Sequence, residues 1–239
     1  MSNNRTIKEE EINPFHEKVY ESADKLASYF ILGYFVFGFL IAPIYDSWWL
    51  ASVMGTVSLG AYFASKYLLQ NKTLFHLITS LVFWNFPLQF LLQMHGSYIM
   101  MFFYFVSLTV LLFYESRWIL APTIAYAFFS FIFLFFLKED VMAMGINLEL
   151  MESLGLGSAL HLGIMTLYAA LCLLWAKIQR NQTRESAINY IQMGEQISLM
   201  EVNIQFANSI SQGNLSADYP NENPDNHPVS SADFLFEIL

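Results

Sequence analysis

Charged residues make up only 13% of this 239-residue chain, about half the share found in ordinary soluble domains, and few of them fall between Leu26 and Ala176. That shortage argues against a soluble globular fold. Cysteine is as scarce, and the single Cys172 rules out an intramolecular disulfide. Basic residues number 11 against 20 acidic ones, and a net charge of -9 leaves no basic patch for nucleic acid. The N-terminus lacks the short basic stretch leading into an apolar core that marks a signal peptide. Enzyme signatures are missing too: there is no HExxH, no G-x-S-x-G, no Walker glycine loop and no GxGxxG. No pair of acidic residues lies within an apolar segment, which speaks against an intramembrane aspartyl protease. The chain reads as a non-enzyme.

What is abundant is apolar surface, at 56% of residues. A helix needs about 20 apolar residues to cross the hydrocarbon core of a bilayer. Six segments meet that length, near 26–45, 48–69, 74–94, 97–114, 118–137 and 158–176. The links at Asp46–Ser47, Gln70–Thr73, His95–Gly96 and Glu115–Arg117 are a few residues long, so neighbouring spans pair as antiparallel hairpins. The predicted fold is all-α and polytopic, with Pro43, Pro87 and Pro122 placed where they kink or end a span. Lysine and arginine are retained on the cytoplasmic side of a membrane. With the N-terminus inside, every Lys and Arg except Lys138 is cytoplasmic. The expected address is the cell membrane, crossed several times, with both termini cytoplasmic.

This topology divides the chain into a cytoplasmic segment at 1–25, a six-helix domain at 26–176, a cytoplasmic helix at 177–212 and a final segment at 213–239. No proline interrupts Leu162 to Tyr219, so the sixth span runs on as one helix until Gly213 stops it. Tyr190, Met193, Ile197, Met200, Ile204 and Ala207 recur at alternating intervals of three and four, the pattern of one apolar seam packing against a partner helix. A parallel homodimer through a short coiled coil is expected. The competing reading is an amphipathic tail lying on the membrane.

The stretch "FANSISQGNLSADYP", followed by "SADFLFEIL", resembles the later part of a HAMP domain, the four-helix linker of bacterial receptors. Gly213, Asn214 and Leu215 match its G-[DN]-L step. Upstream, "MHGSYIMMFFYFVSLTVLLFYESRW" and "GSALHLGIMTLYAALCLLWA" are similar to the fourth and sixth spans of the six-helix sensor that begins some chemotaxis receptors, histidine kinases and nucleotide cyclases. The family's membrane histidines are matched here by His161 alone. The resemblance implies a sensory module that relays a signal to a cytoplasmic output domain.

Two sets of residues are candidate sites. His95 and His161 fall at the same outer depth, with Met94, Met142, Met144 and Met151 in that layer; imidazole and thioether together suit copper(I), whereas interfacial histidines of no function are satisfied by water. No cofactor is favoured, with copper or another metal at these residues as the alternative. Deeper, Asn85, Gln89 and Gln93 form one stripe on the third span, and His161, Met165, Tyr168 and Cys172 another on the sixth. With His95 and Tyr98 these line either an outward-opening ligand pocket or an interhelical hydrogen-bond network. His76 lies about 28 Å along the helix from His95 and joins neither. The loop from Lys138 to Gly157, with Ile146, Leu150, Met151 and Leu154 on one face, reads as an interfacial helix over the outer mouth. The favoured function is a membrane sensor and anchor of a dimeric signalling receptor; the alternative is a small transporter or channel, for which no buried charge or internal repeat supplies an ion pathway.

Overall fold

The structure is a computed structural model that describes residues 9–136 and 156–213. Among them every regular element is helical: α1 (Glu9–Ile41), α2 (Trp48–Leu68), α3 (Lys72–Gln93), α4 (Phe102–Leu112), α5 (Arg117–Phe136) and α6 (Leu156–Ser211), with short 3-10 turns at Ala42–Ile44 and Tyr98–Met101. The outer-loop helix and the segment after Gly213, including Asn214 and Leu215, lie outside the described residues.

Four stretches are long and apolar enough to cross a membrane: Glu11–Ile44, Lys72–Gln93, Arg117–Leu134 and Leu160–Ser211. The expected second and fourth spans are weaker. Helix α2 has the length but dilutes its apolar residues with Ser52, Gly55, Thr56, Ser58, Gly60 and Ser65. The expected 97–114 helix is divided between a 3-10 turn and the 11-residue α4. Helix α1 starts well before its apolar stretch, because the polar run from Glu9 to Lys25 continues the same helix.

By internal contacts the residues form two units, Pro14–Asn181 and Met1–Asn13 with Gln182–Leu239. In the first, α3 is the central helix: 67% of its apolar window is buried, against 22–33% in the other three long spans. It packs on α2, α4 and α5. Asn71 starts it, its side-chain oxygen accepting from the N–H groups of Thr73 and Leu74. Phe83, Phe86 and Phe90 of α3 meet the ring of Tyr34 from α1 edge-on, and Phe103 closes the cluster from α4. The Tyr34 hydroxyl ends this apolar stack on Ser107 Oγ at 3.1 Å.

Helix α5 carries Pro122, which has no N–H to give. Beside it the Ser80 hydroxyl of α3 donates to Ile119 O (2.6 Å) and accepts from Thr123 N (3.0 Å). Those are the two groups that one regular helical turn joins to each other. Thr123 Oγ1 donates back to Ser80 O at 2.6 Å, so one α3 side chain is stitched into the α5 backbone, as buried hydroxyls do for proline-bearing helices in lipid. In the second unit, Glu9 pairs with Arg184 at 3.3 Å, and Ile12 and Ala187 are buried.

Candidate functional site

The amide stripe of α3 points into the bundle. Gln89 and Gln93 are both fully buried. Gln93 Nε2 donates to Gly38 O of α1 (3.0 Å) and lies 3.4 Å from Ser47 Oγ, while Gln89 Nε2 donates to Gln93 Oε1 (3.0 Å). Asn85 Nδ2 donates to Ser58 Oγ of α2 (2.6 Å), and the Tyr126 hydroxyl of α5 donates to Asn85 Oδ1 (3.3 Å). The stripe thus joins α3 to α1, α2 and α5. Its one open acceptor is Gln89 Oε1, buried without a hydrogen-bond partner. Close approach of α1 is allowed by Gly38, where a Cβ would stand 2.6 Å from Gln89 Nε2. Gly38→Ala should therefore displace Gln89, break its bond to Gln93 and cost about 1 kcal/mol; a chemical or thermal melt in detergent indistinguishable from wild type would refute that placement.

The outer residues are placed one by one. His95 sits in the turn after α3 at φ 53°, a left-handed position that histidine tolerates better than most residues, and its ring stacks on Tyr45 at 4.3 Å. Met94 caps α3 and Tyr98 opens the following 3-10 turn. His161 is partly buried on α6. Tyr168, one helical face further on, hydrogen-bonds Thr109 Oγ1 of α4 at 2.6 Å and meets Phe105 edge-on. Among the described residues no three His, Cys, Asp or Glu side chains gather as a metal set.

The richest cluster lies at the opposite end of the bundle. Asp24 Oδ1 accepts from the Tyr114 hydroxyl (2.6 Å) and faces His76 Nε2 at 3.6 Å. The His76 ring is flanked by those of Tyr20 and Tyr114, each with its centroid 5.2 Å away. The Asp24 carbonyl accepts from Ser28 Oγ (2.7 Å) and from the Tyr62 hydroxyl (3.2 Å), and Lys66 Nζ donates to Ser28 Oγ (2.8 Å). Side chains from α1, α2 and α3, with Tyr114 just past α4, converge there. A shallow pocket of about 440 Å³ opens beside it, lined among others by Lys18, Leu26, Phe113 and Glu115. At the rim Lys72 pairs with Glu17, and its ammonium holds the Glu17 carboxyl below the ordinary value. Both groups are exposed, so whatever this pair adds is small, present above the ordinary carboxylate range and lost as acid protonates Glu17.

Sequence reasoning missed this cluster. Asp24 was assigned to an aqueous tail and His76 stood alone, since the contacts join residues 52 and 90 positions apart. The available signal was the coincidence of His76, Lys66 and Asp24 at the same end of three predicted spans.

The polar half of α6 presents two faces. Met193, Ile197, Met200 and Ile204 are 50–62% exposed, Ala207 is exposed and Tyr190 partly covered. Ala187 is buried, and Ile191, Gly194, Ser198, Val202 and Phe206 on the other face are partly covered, a face the heptad pattern did not single out. The helix ends at Ser211, with Gly213 at φ 88° as a left-handed stop.

No protein-family model, no curated protein and no solved structure matches this chain.

Proposed function

We propose that this chain is the membrane-embedded sensory and anchoring module of a dimeric bacterial signalling receptor. The observation that carries this reading is α6, a 56-residue helix whose first part is apolar enough to cross a membrane and whose last part is polar with one exposed apolar seam. A helix of that design carries a displacement or rotation along its length and offers the seam of a second copy a place to pack. Downstream of Gly213, the HAMP-like segment hands the signal to an output domain.

In this reading all six apolar helices cross, with both termini cytoplasmic. Support for α2 as a span comes from its ends: Trp48 and Trp49 at one and Tyr67 at the other are exposed, about 28 Å apart along the axis, as headgroup-level rings are. The α3 amides serve as the bundle's internal glue, because all but one of their polar atoms named above are used on protein partners. Reporter fusions at Ser47, Gly96 and Gly145 should report the outside, and fusions at Asn71 and Ser116 the cytoplasm. A cytoplasmic signal at Gly145 would reverse the final crossing and remove α6 from the side where an output domain works.

A further inference from the structure

We propose that Lys66 holds the phosphate of an acidic phospholipid at the end of the bundle where Asp24 lies. Lys66 is partly buried, and a covered ammonium needs an anion or strong acceptors around it. One of its donors goes to Ser28 Oγ at 2.8 Å, and the Tyr62 ring lies under it with the centroid 5.8 Å away. Among the described residues no carboxylate stands within ion-pair distance of it. The acids that lie nearby are engaged elsewhere: Glu17 takes Lys72, and Asp24 Oδ1 takes Tyr114 and faces His76. The oxygens around Lys66 are neutral: Ser28 Oγ accepts its bond and donates on to Asp24 O, and the Tyr62 hydroxyl also donates to Asp24 O, so neither supplies a negative charge. The remaining ammonium donors thus lack a protein anion.

What surrounds Lys66 suits a lipid. Tyr67 and Leu68 follow it at 76% and 79% exposure, and Tyr29, next to Ser28, is 73% exposed. A lysine with aromatic and aliphatic side chains beside it matches a phosphate with acyl chains below, the arrangement by which basic pockets between membrane helices take acidic headgroups. A free phosphate would meet the cation but leave the apolar neighbours unused. This inference rests on the membrane-spanning reading above.

The test uses the full chain in nanodiscs of dioleoylphosphatidylcholine alone or with dioleoylphosphatidylglycerol, and inorganic phosphate added to the first. Phosphatidylglycerol should raise the melting temperature of the wild type by about 2–4 °C, and native mass spectrometry should retain one such lipid per chain. Inorganic phosphate should do neither. Lys66→Gln, which keeps a donor for Ser28, should lose both effects while melting like wild type in phosphatidylcholine; Lys66→Arg should keep them, and so should Arg180→Gln, which removes an exposed charge on α6. Equal responses of Lys66→Gln and Arg180→Gln would reduce the effect to general surface charge and overturn the site, as would full stabilisation by inorganic phosphate. A wild-type chain that enters discs but ignores lipid charge defeats this inference alone; one that cannot enter discs defeats the membrane reading with it.

Discussion

Replacing Ser80 by alanine should lower the stability of the helix bundle by about 2 kcal/mol, because it strands groups that have no water to turn to. Ser80 is fully buried, and its hydroxyl is the bridge between Ile119 O and Thr123 N in α5. Thr123→Val removes the reciprocal donor to Ser80 O and should cost a similar amount, while Thr123→Ser, which keeps the hydroxyl, should be nearly neutral. Since the two side chains form one network, the Ser80→Ala, Thr123→Val double variant should lose less than the sum of the singles. Denaturation in mixed micelles reads all four proteins. Melting of Ser80→Ala at the wild-type midpoint would mean that α5 closes its own turn past Pro122 and that the stitch is incidental.

The second large effect is expected on α6. Ile197 and Ile204 are 50% and 56% exposed, so an aspartate at either site displaces nothing in the chain's own packing. Across a parallel dimer seam, the same substitutions set two carboxylates against each other in place of two isoleucines. Ile197→Asp with Ile204→Asp should therefore leave helicity and melting of the single chain unchanged and shift it from dimer to monomer. Sedimentation in density-matched detergent reports that difference. Substitution on the other face should behave in the opposite way: Ala187 is 1% exposed, and a charge there disturbs the chain itself.

Residues whose role is set by local periodicity were legible in the sequence. Gln89 and Gln93 repeat every four positions among apolar neighbours, which assigned them to the bundle interior, and both are fully buried. The same periodicity sets Met193, Ile197, Met200 and Ile204 on one face, where all four are exposed, and the helix stop near Gly213 was legible too. What the sequence hid depends on pairing between distant elements. Ser80 and Thr123 look like ordinary hydroxyls within their spans, and only the packing of α3 on α5 reveals that one completes the backbone of the other. Asp24 looked like part of a solvated tail because its charge outweighed its position, yet Tyr114 from 90 residues away supplies its partner. The expected fourth span shows a third limit: Tyr98 to Met101 are apolar enough for a membrane helix, but the chain leaves the His95–Gly96 turn as a 3-10 turn before α4 begins.

The central claim is that α6 leaves the membrane as one strand of a parallel dimer. It is tested most directly by single cysteines placed at each position from 190 to 207, with Cys172 first replaced by alanine, and oxidised in native membranes. Cross-linking between chains should rise and fall with a period near 3.5 residues, with maxima at Tyr190, Met193, Ile197, Met200, Ile204 and Ala207 and minima at Ile191 and Ser198. A flat profile, or maxima on the Ile191–Ser198 face, would contradict the account.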